Sequence, residues 1–259
     1  FCDALMAGGT SRKAHSEIGS SFIHFNYTPH GDKATASLLG DVPRGVMLDQ
    51  APIFLGGQGG LAGPVRVEYG TVLAAGHVLR KDVEKPGQLV VPAAPHAGTV
   101  PYEAGYRSVA RVLRNGAIYV GNLAALEVWY AQVRRPLLEK TPHGAACLAG
   151  ALKQLAGARA ERLKRLDEVV AKLAAENRAA LDAALRAEHE RVCAAWPAAR
   201  ARLAAAGDVA CAEKAAFLAA WAAAKEDTYV ARVQGLPAAA KAAGTAWLQQ
   251  IVDGAGSPA

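Results

Sequence analysis

The chain has 259 residues, of which 52% are hydrophobic, so it can bury a sizeable core, and its formal net charge is +6. The charges are spread and mixed in sign, and no apolar run approaches the roughly 20 residues that span a bilayer, so we expect neither a nucleic-acid partner nor a membrane partner. The four cysteines form no CxxC pair, so we expect no metal site and no disulfide framework, but reduced thiols in a cytoplasmic protein.

The first part of the chain contains a six-residue repeat between residues 54 and 83. Divided as FLGGQG, GLAGPV, RVEYGT, VLAAGH and VLRKDV, every hexad has an aliphatic residue in its second position: Leu55, Leu61, Val67, Leu73 and Leu79. A period of six fits neither a helix nor a plain alternating strand, and is typical of a parallel β-helix in which each hexad forms one face of a coil. We therefore predict an α+β protein, with a left-handed parallel β-helix over residues 1–83 followed by an α-helical C-terminal region. Five hexads make fewer than two coils, so we expect more of the protein upstream of Phe1.

The next segment, residues 84–102, carries four prolines and predicts a linker or a capping strand. From residue 103 to residue 259 the pattern becomes helical, and we predict an α-helical hairpin or bundle. Residues 107–116 predict a short helix that stops at Asn115-Gly116, and residues 121–138 predict a second helix that ends near Pro136.

Leucine and valine then recur at steps of three and four over residues 145–195, which predicts a long amphipathic helix. Pro197 is expected to break or kink it. Residues 211–252 predict at least one more helix, interrupted near Gly235-Leu236-Pro237.

Two segments carry a family resemblance. Residues 18–41 (IGSSFIHFNYTPHGDKATASLLGD) and 54–83 resemble, in order and spacing, the last coils of bacterial bifunctional N-acetylglucosamine-1-phosphate uridyltransferase/glucosamine-1-phosphate acetyltransferase. The similarity covers about the first third of the chain. It implies CoA-dependent N-acetyl transfer to an amino-sugar phosphate in the UDP-N-acetylglucosamine pathway. It also implies a cytoplasmic homotrimer that takes acetyl-CoA as co-substrate.

The resemblance implies a role for individual residues. His15, in the segment Arg12-Lys13-Ala14-His15 that is similar to the family's K-A-H, is expected to be the catalytic base. Three residues are expected to bind the sugar phosphate: Lys13, Lys33 and Glu17, the last of which stands where the family has a substrate-binding Asn. Five are expected to lie along acetyl-CoA: Ser20, Asn26, Tyr27, Gly57 and Ala74.

The chemistry leaves alternatives open. His24 or His30 has the same capacity as His15 to act as the base, and Arg44 is a further cation for a phosphate. A second hypothesis is a non-catalytic trimerisation scaffold, the C-terminal part of a nucleotide-sugar pyrophosphorylase relative. Two departures from the family favour it: the position of the histidine, and an insertion at residues 41–53 that we expect to form a loop beside the site.

Overall fold

The computed structural model describes residues 4–23, 36–93, 98–99, 109–175 and 181–256. The described strands are two or three residues long: β1 (Ala4–Met6), β2 (Glu17–Ile18), β3 (Phe22–Ile23), β4 (Ser37–Leu39), β5 (Phe54–Leu55), β6 (Gly60–Leu61), β7 (Arg66–Val67), β8 (Val72–Leu73), β9 (Val78–Leu79) and β10 (Leu89–Val90). The described helices are α1 (Val42–Gly45), α2 (Ala110–Trp129), α3 (Arg135–Leu138), α4 (Gly144–Ala175), α5 (Ala183–Ala205), α6 (Ala212–Ala223), α7 (Tyr229–Gly235) and α8 (Ala238–Ala255), with a π-helical turn (Tyr130–Arg134) between α2 and α3.

The strands form three small parallel sheets, with the orders β1-β4-β7, β2-β5-β8-β10 and β3-β6-β9. All five aliphatic residues of the six-residue repeat are buried, and they contact one another in a single hydrophobic cluster. The spacing therefore identified the inward-facing positions of these strands correctly.

The predicted fold class is nevertheless wrong. Helices account for 56% of the described residues, the strands lie in three separate small sheets, and no left-handed β-helix is evident among those residues. Aliphatic residues at every sixth position require only short strands separated by turns, and this pattern carries no information on handedness. The helices also take part in burying the strands: Leu38 of β4 packs against Tyr119 and Leu123 of α2.

Helix α2 is longer than the sequence predicted, because Asn115 and Gly116 do not stop it. The Asn115 side chain is buried, and its Nδ2 donates to the Pro64 carbonyl at 3.1 Å, so this residue ties the helix to the strands. A Cβ on Gly116 would lie 2.7 Å from a methyl carbon of Leu166, so the glycine allows α4 to approach closely. Both residues therefore contribute to the packing of α2, and neither ends the helix.

Of the helix ends and breaks predicted at prolines, the break at Pro197 is wrong. Pro197 lies inside α5, between the buried residues Trp196 and Ala199. The helical segment that contains Pro136 ends at Leu138, so the predicted helix end near this proline is confirmed. The predicted interruption at Gly235-Leu236-Pro237 is confirmed, since α7 ends at Gly235 and α8 begins at Ala238.

The helical core has two main clusters. One joins the first half of α2 to α4 and α5 through mainly aliphatic residues. The other is aromatic and joins the second half of α2 to α1, α6, α7 and α8. Phe217 lies at its centre, with ring centroids 5.4 Å from Trp129, 6.2 Å from Trp221 and 5.9 Å from Trp247.

Candidate active site

His15 stands on a loop that hydrogen bonds hold in one conformation. Gly9 and His15 form an antiparallel bridge, and the Thr10 amide donates to the Ala14 carbonyl at 2.7 Å. Gly9 has a φ of 102°, and a Cβ there would lie 2.3 Å from the Ala14 carbonyl oxygen. The turn that positions His15 therefore requires glycine at position 9.

Ser16 anchors this loop to the strands. Its hydroxyl donates to the Ala7 carbonyl at 2.7 Å and accepts from the Ile53 amide at 2.8 Å. His15 and Glu17 flank this anchored residue in the chain, so the backbone from which both side chains project is fixed.

The His15 ring has a defined hydrogen-bonding arrangement. Its Nδ1 lies 3.1 Å from the Ser16 carbonyl oxygen, and since a carbonyl only accepts, Nδ1 carries the proton. In the neutral ring Nε2 is then the acceptor, and it lies 3.8 Å from Oε1 of Glu17. The two side chains are 49% and 58% exposed, so a dissolved substrate can reach them. Lys13 belongs to the same loop, is exposed, and has its amide bonded to the Ser11 hydroxyl at 3.2 Å.

Ser20, Gly57 and Ala74 lie at one end of the β2-β5-β8-β10 sheet. The Ser20 carbonyl accepts from the Gln58 amide at 3.0 Å, and a Cβ on Gly57 would lie 3.2 Å from the Ser20 hydroxyl. The Ala74 amide donates to the Val90 carbonyl at 3.0 Å. Among the described residues, the amides of Ser20 and Gly57 donate to no acceptor.

The structure thus places the predicted residues in two groups, one of Lys13, His15 and Glu17 and the other of Ser20, Gly57 and Ala74. Strand β2 connects them, but no hydrogen bond or ion pair between described residues joins the two groups. The remaining predicted positions lie outside the described residues: Asn26, Tyr27 and Lys33, together with the alternative bases His24 and His30.

Arg44, the alternative phosphate-binding cation, is already engaged. Its guanidinium donates to Asp41 at 2.7 Å and to Glu68 at 2.9 Å, and it lies 4.8 Å from the centroid of the Tyr69 ring. Burial alone would lower the pKa of Arg44, but the hydrogen bonds that it donates to these two carboxylates, together with their negative charges, raise the pKa overall. Arg44 therefore belongs to a structural cluster at the start of α1, a four-residue helix within the segment 41–53 that was expected to be a loop.

Sequence reasoning missed a cavity of about 340 Å³ between strands β1 and β4, helices α1 and α2, the π-helical turn and α7. Its walls include Trp129, Tyr130, Arg134 and Tyr229. The sequence holds no signal for it, because Tyr229 lies far along the chain from the other three. A π-helical turn is a weak signal of function, and only the structure reveals one here.

Comparison of the chain with protein-family models, with curated proteins and with solved structures finds no match. Within the described parts of the chain, none of the helices combines the length and the apolar character needed to cross a bilayer. No group of three or more His, Cys, Asp or Glu side chains in those parts is arranged to hold a metal ion.

Proposed function

We propose that this chain transfers an acyl group from a CoA thioester to the amine of an amino-sugar phosphate, with His15 as the base. The observation that carries the proposal is the orientation of the His15 ring. Its Nδ1 is committed to the Ser16 carbonyl, which leaves Nε2 as the acceptor beside Glu17. An imidazole with one nitrogen bonded to a backbone carbonyl and the other accessible to solvent has the arrangement that general-base catalysis requires.

The proposed reaction assigns each group one task. Nε2 of His15 takes a proton from the substrate amine as the amine nitrogen bonds to the thioester carbon. The Glu17 carboxylate, 3.8 Å away, then pairs with the positive ring. When the carbon–sulfur bond breaks, the CoA thiolate leaves and accepts the proton from the ring.

The developing oxyanion needs donors that have no other partner. The amides of Ser20 and Gly57 meet this requirement among the described residues. The exposed ammonium group of Lys13, on the loop of His15, is available to pair with the phosphate of the acceptor. In this arrangement the His15 loop binds the acceptor, and the end of the β2-β5-β8-β10 sheet binds the thioester.

Release of thiol from acetyl-CoA in the presence of glucosamine 1-phosphate tests the proposal. We expect the wild-type chain to release thiol only when the amine is present, and His15→Gln to lose at least about 100-fold in rate. His77→Gln is the matched control, because His77 also has its Nδ1 on a backbone carbonyl, that of Ala75 at 2.8 Å. Equal rates for the two variants, or no effect of millimolar acetyl-CoA on the melting temperature of the wild type, would contradict it.

A non-catalytic scaffold is the second candidate, and an exposed apolar row favours it. Phe54, Val72 and Leu89 lie side by side on the β2-β5-β8-β10 sheet and are 42%, 39% and 71% exposed. We expect such a row to be covered by further copies of the chain. A trimer in sedimentation equilibrium that Val72→Glu dissociates and Gln88→Glu does not, together with no thiol release, would favour the scaffold.

A further inference from the structure

The cavity between the strands and the helices has a mostly apolar lining and, among the described residues, one cation that pairs with no carboxylate. Leu5, Leu39, Val46 and Leu126 supply apolar wall, and Arg134 supplies the charge. A volume of about 340 Å³ lies in the range of small-molecule sites. It is room for about ten water molecules, or an organic molecule of about the same number of heavy atoms.

Aromatic rings hold the guanidinium of Arg134. Its central carbon lies 3.8 Å from the centroid of the Tyr229 ring and 5.7 Å from that of Tyr130. Among the described residues, no carboxylate lies within 4.0 Å of it, and its buried Nε has no hydrogen-bond partner. The next residue, Arg135, is by contrast exposed and pairs with Glu139 at 3.6 Å.

The π-helical turn explains how Arg134 comes to lie there. The wider turn over Tyr130–Arg134 shifts the following residues around the helix axis relative to a regular α-helix. Such a turn has less favourable geometry than an α-helix, and turns of this kind occur frequently at functional sites. Here Tyr130 and Arg134, at its two ends, both line the cavity.

Tyr229 adds a neutral donor beside this cation. Its hydroxyl oxygen accepts from Nε1 of Trp129 at 3.0 Å, so the hydroxyl proton remains available. Burial raises the pKa of Tyr229, and the hydroxyl is therefore protonated at neutral pH. Asp41, the acidic residue in the wall, accepts a hydrogen bond from Arg44 and so does not compete for Arg134.

We propose that this cavity binds a small organic carboxylate with an apolar body, its carboxylate held by Arg134 and by the Tyr229 hydroxyl. One guanidinium and one hydroxyl match one planar monoanion, whereas a phosphate monoester would bring about two charges and more oxygens than these donors satisfy. The apolar wall takes the rest of the ligand. Gly8 and Gly9, at the start of the His15 loop, also line the cavity, but His15 does not, and the ligand is independent of the acyl-transfer proposal.

Calorimetric titration of the full chain with octanoate and with octanamide tests the site. The two probes have the same size and apolar tail and differ only in the charged head group. We expect octanoate to bind at least about tenfold more tightly than octanamide, a difference typical of losing one charge-assisted hydrogen bond. Equal binding of the two probes, or no heat with octanoate at millimolar concentration, would overturn the proposal without use of any variant.

Three variants locate the binding. Arg134→Gln is expected to weaken octanoate binding by about tenfold or more and leave octanamide unchanged, and Tyr229→Phe to weaken it by a smaller factor. Arg135→Gln, the matched control, should bind octanoate as the wild type does. A loss in Arg135→Gln equal to that in Arg134→Gln would show general charge attraction and overturn the assignment.

Discussion

The Nε2 atom of His15 lies 3.8 Å from the Oε1 atom of Glu17, and both residues flank Ser16, whose hydroxyl fixes the backbone between them. If Glu17 stabilises the positive ring formed during acyl transfer, removing its charge should slow the chemical step. We expect Glu17→Gln to lower kcat by about tenfold, equal to about 1.4 kcal/mol, with little change in KM. The matched control is Glu84→Gln, because Glu84 is exposed and lies 3.8 Å from Arg66. Unchanged kcat in Glu17→Gln would exclude this role.

The turn at Gly9 should tolerate no side chain. Gly9→Ala combines a positive φ with an overlap against the Ala14 carbonyl, and we expect it to lower the free energy of unfolding by about 2 kcal/mol or more. Gly76→Ala is the control, since Gly76 also has a positive φ (75°) but a Cβ there would have no atom within 4 Å. Urea unfolding of both variants measures the difference. Equal losses would mean that the close contact in the loop has no energetic effect.

The aromatic cluster should be the most sensitive part of the helical core. Phe217 is completely buried among three tryptophans, so we expect Phe217→Ala to cost about 3–5 kcal/mol. The exposed residue Phe54 is the comparison, and Phe54→Ala should change stability by less than about 0.5 kcal/mol. Similar midpoints of urea unfolding for the two variants would contradict this placement of the core.

Asp208 should contribute to stability in a way that depends on pH. Burial alone would raise the pKa of Asp208, but hydrogen bonds from Lys214, Gln132 and Trp247 and the charge of Lys214 lower it overall. A folded pKa below the unfolded value means that the contribution is present above about pH 4 and is lost as the pH falls through the folded value. Asp208→Asn should therefore be less stable than the wild type at neutral pH, by about 1 kcal/mol. It should approach the wild type in acid.

Unfolding curves at several pH values measure this difference. Asp227→Asn is the control, because Asp227 is exposed on the loop before α7. A gap between Asp208→Asn and the wild type that stays constant down to the acid range would contradict the assignment.

Local patterns predicted local structure well. The aliphatic spacing from Leu55 to Leu79 identified buried positions, and Gly235-Leu236-Pro237 marked a helix boundary. In both places the signal comes from neighbouring residues, through periodicity or through backbone geometry. The helix end predicted at Asn115 was wrong because a distant contact overrides the local signal: the side-chain amide of Asn115 is bonded to the Pro64 carbonyl.

The fold class and the cavity required information that no local pattern contains. Short parallel strands with inward leucines are compatible with more than one arrangement of sheets, and α2 covers part of them through Tyr119 and Leu123. The cavity depends on Arg134 reaching Tyr229, a contact between residues far apart in the chain. Within the candidate active site, the sequence named His15 and Glu17 individually, but it did not predict the Ser16 hydroxyl that anchors the chain between them.

The most direct test of His15 as the base is chemical rescue of the His15→Ala variant with imidazole in solution. The exposed position of the ring leaves room for imidazole to enter in its place. We predict that the variant transfers acetyl groups from acetyl-CoA to glucosamine 1-phosphate at least about 100-fold more slowly than the wild type, and that added imidazole restores part of the rate. A His15→Ala variant that retains the wild-type rate, with or without imidazole, would contradict the account.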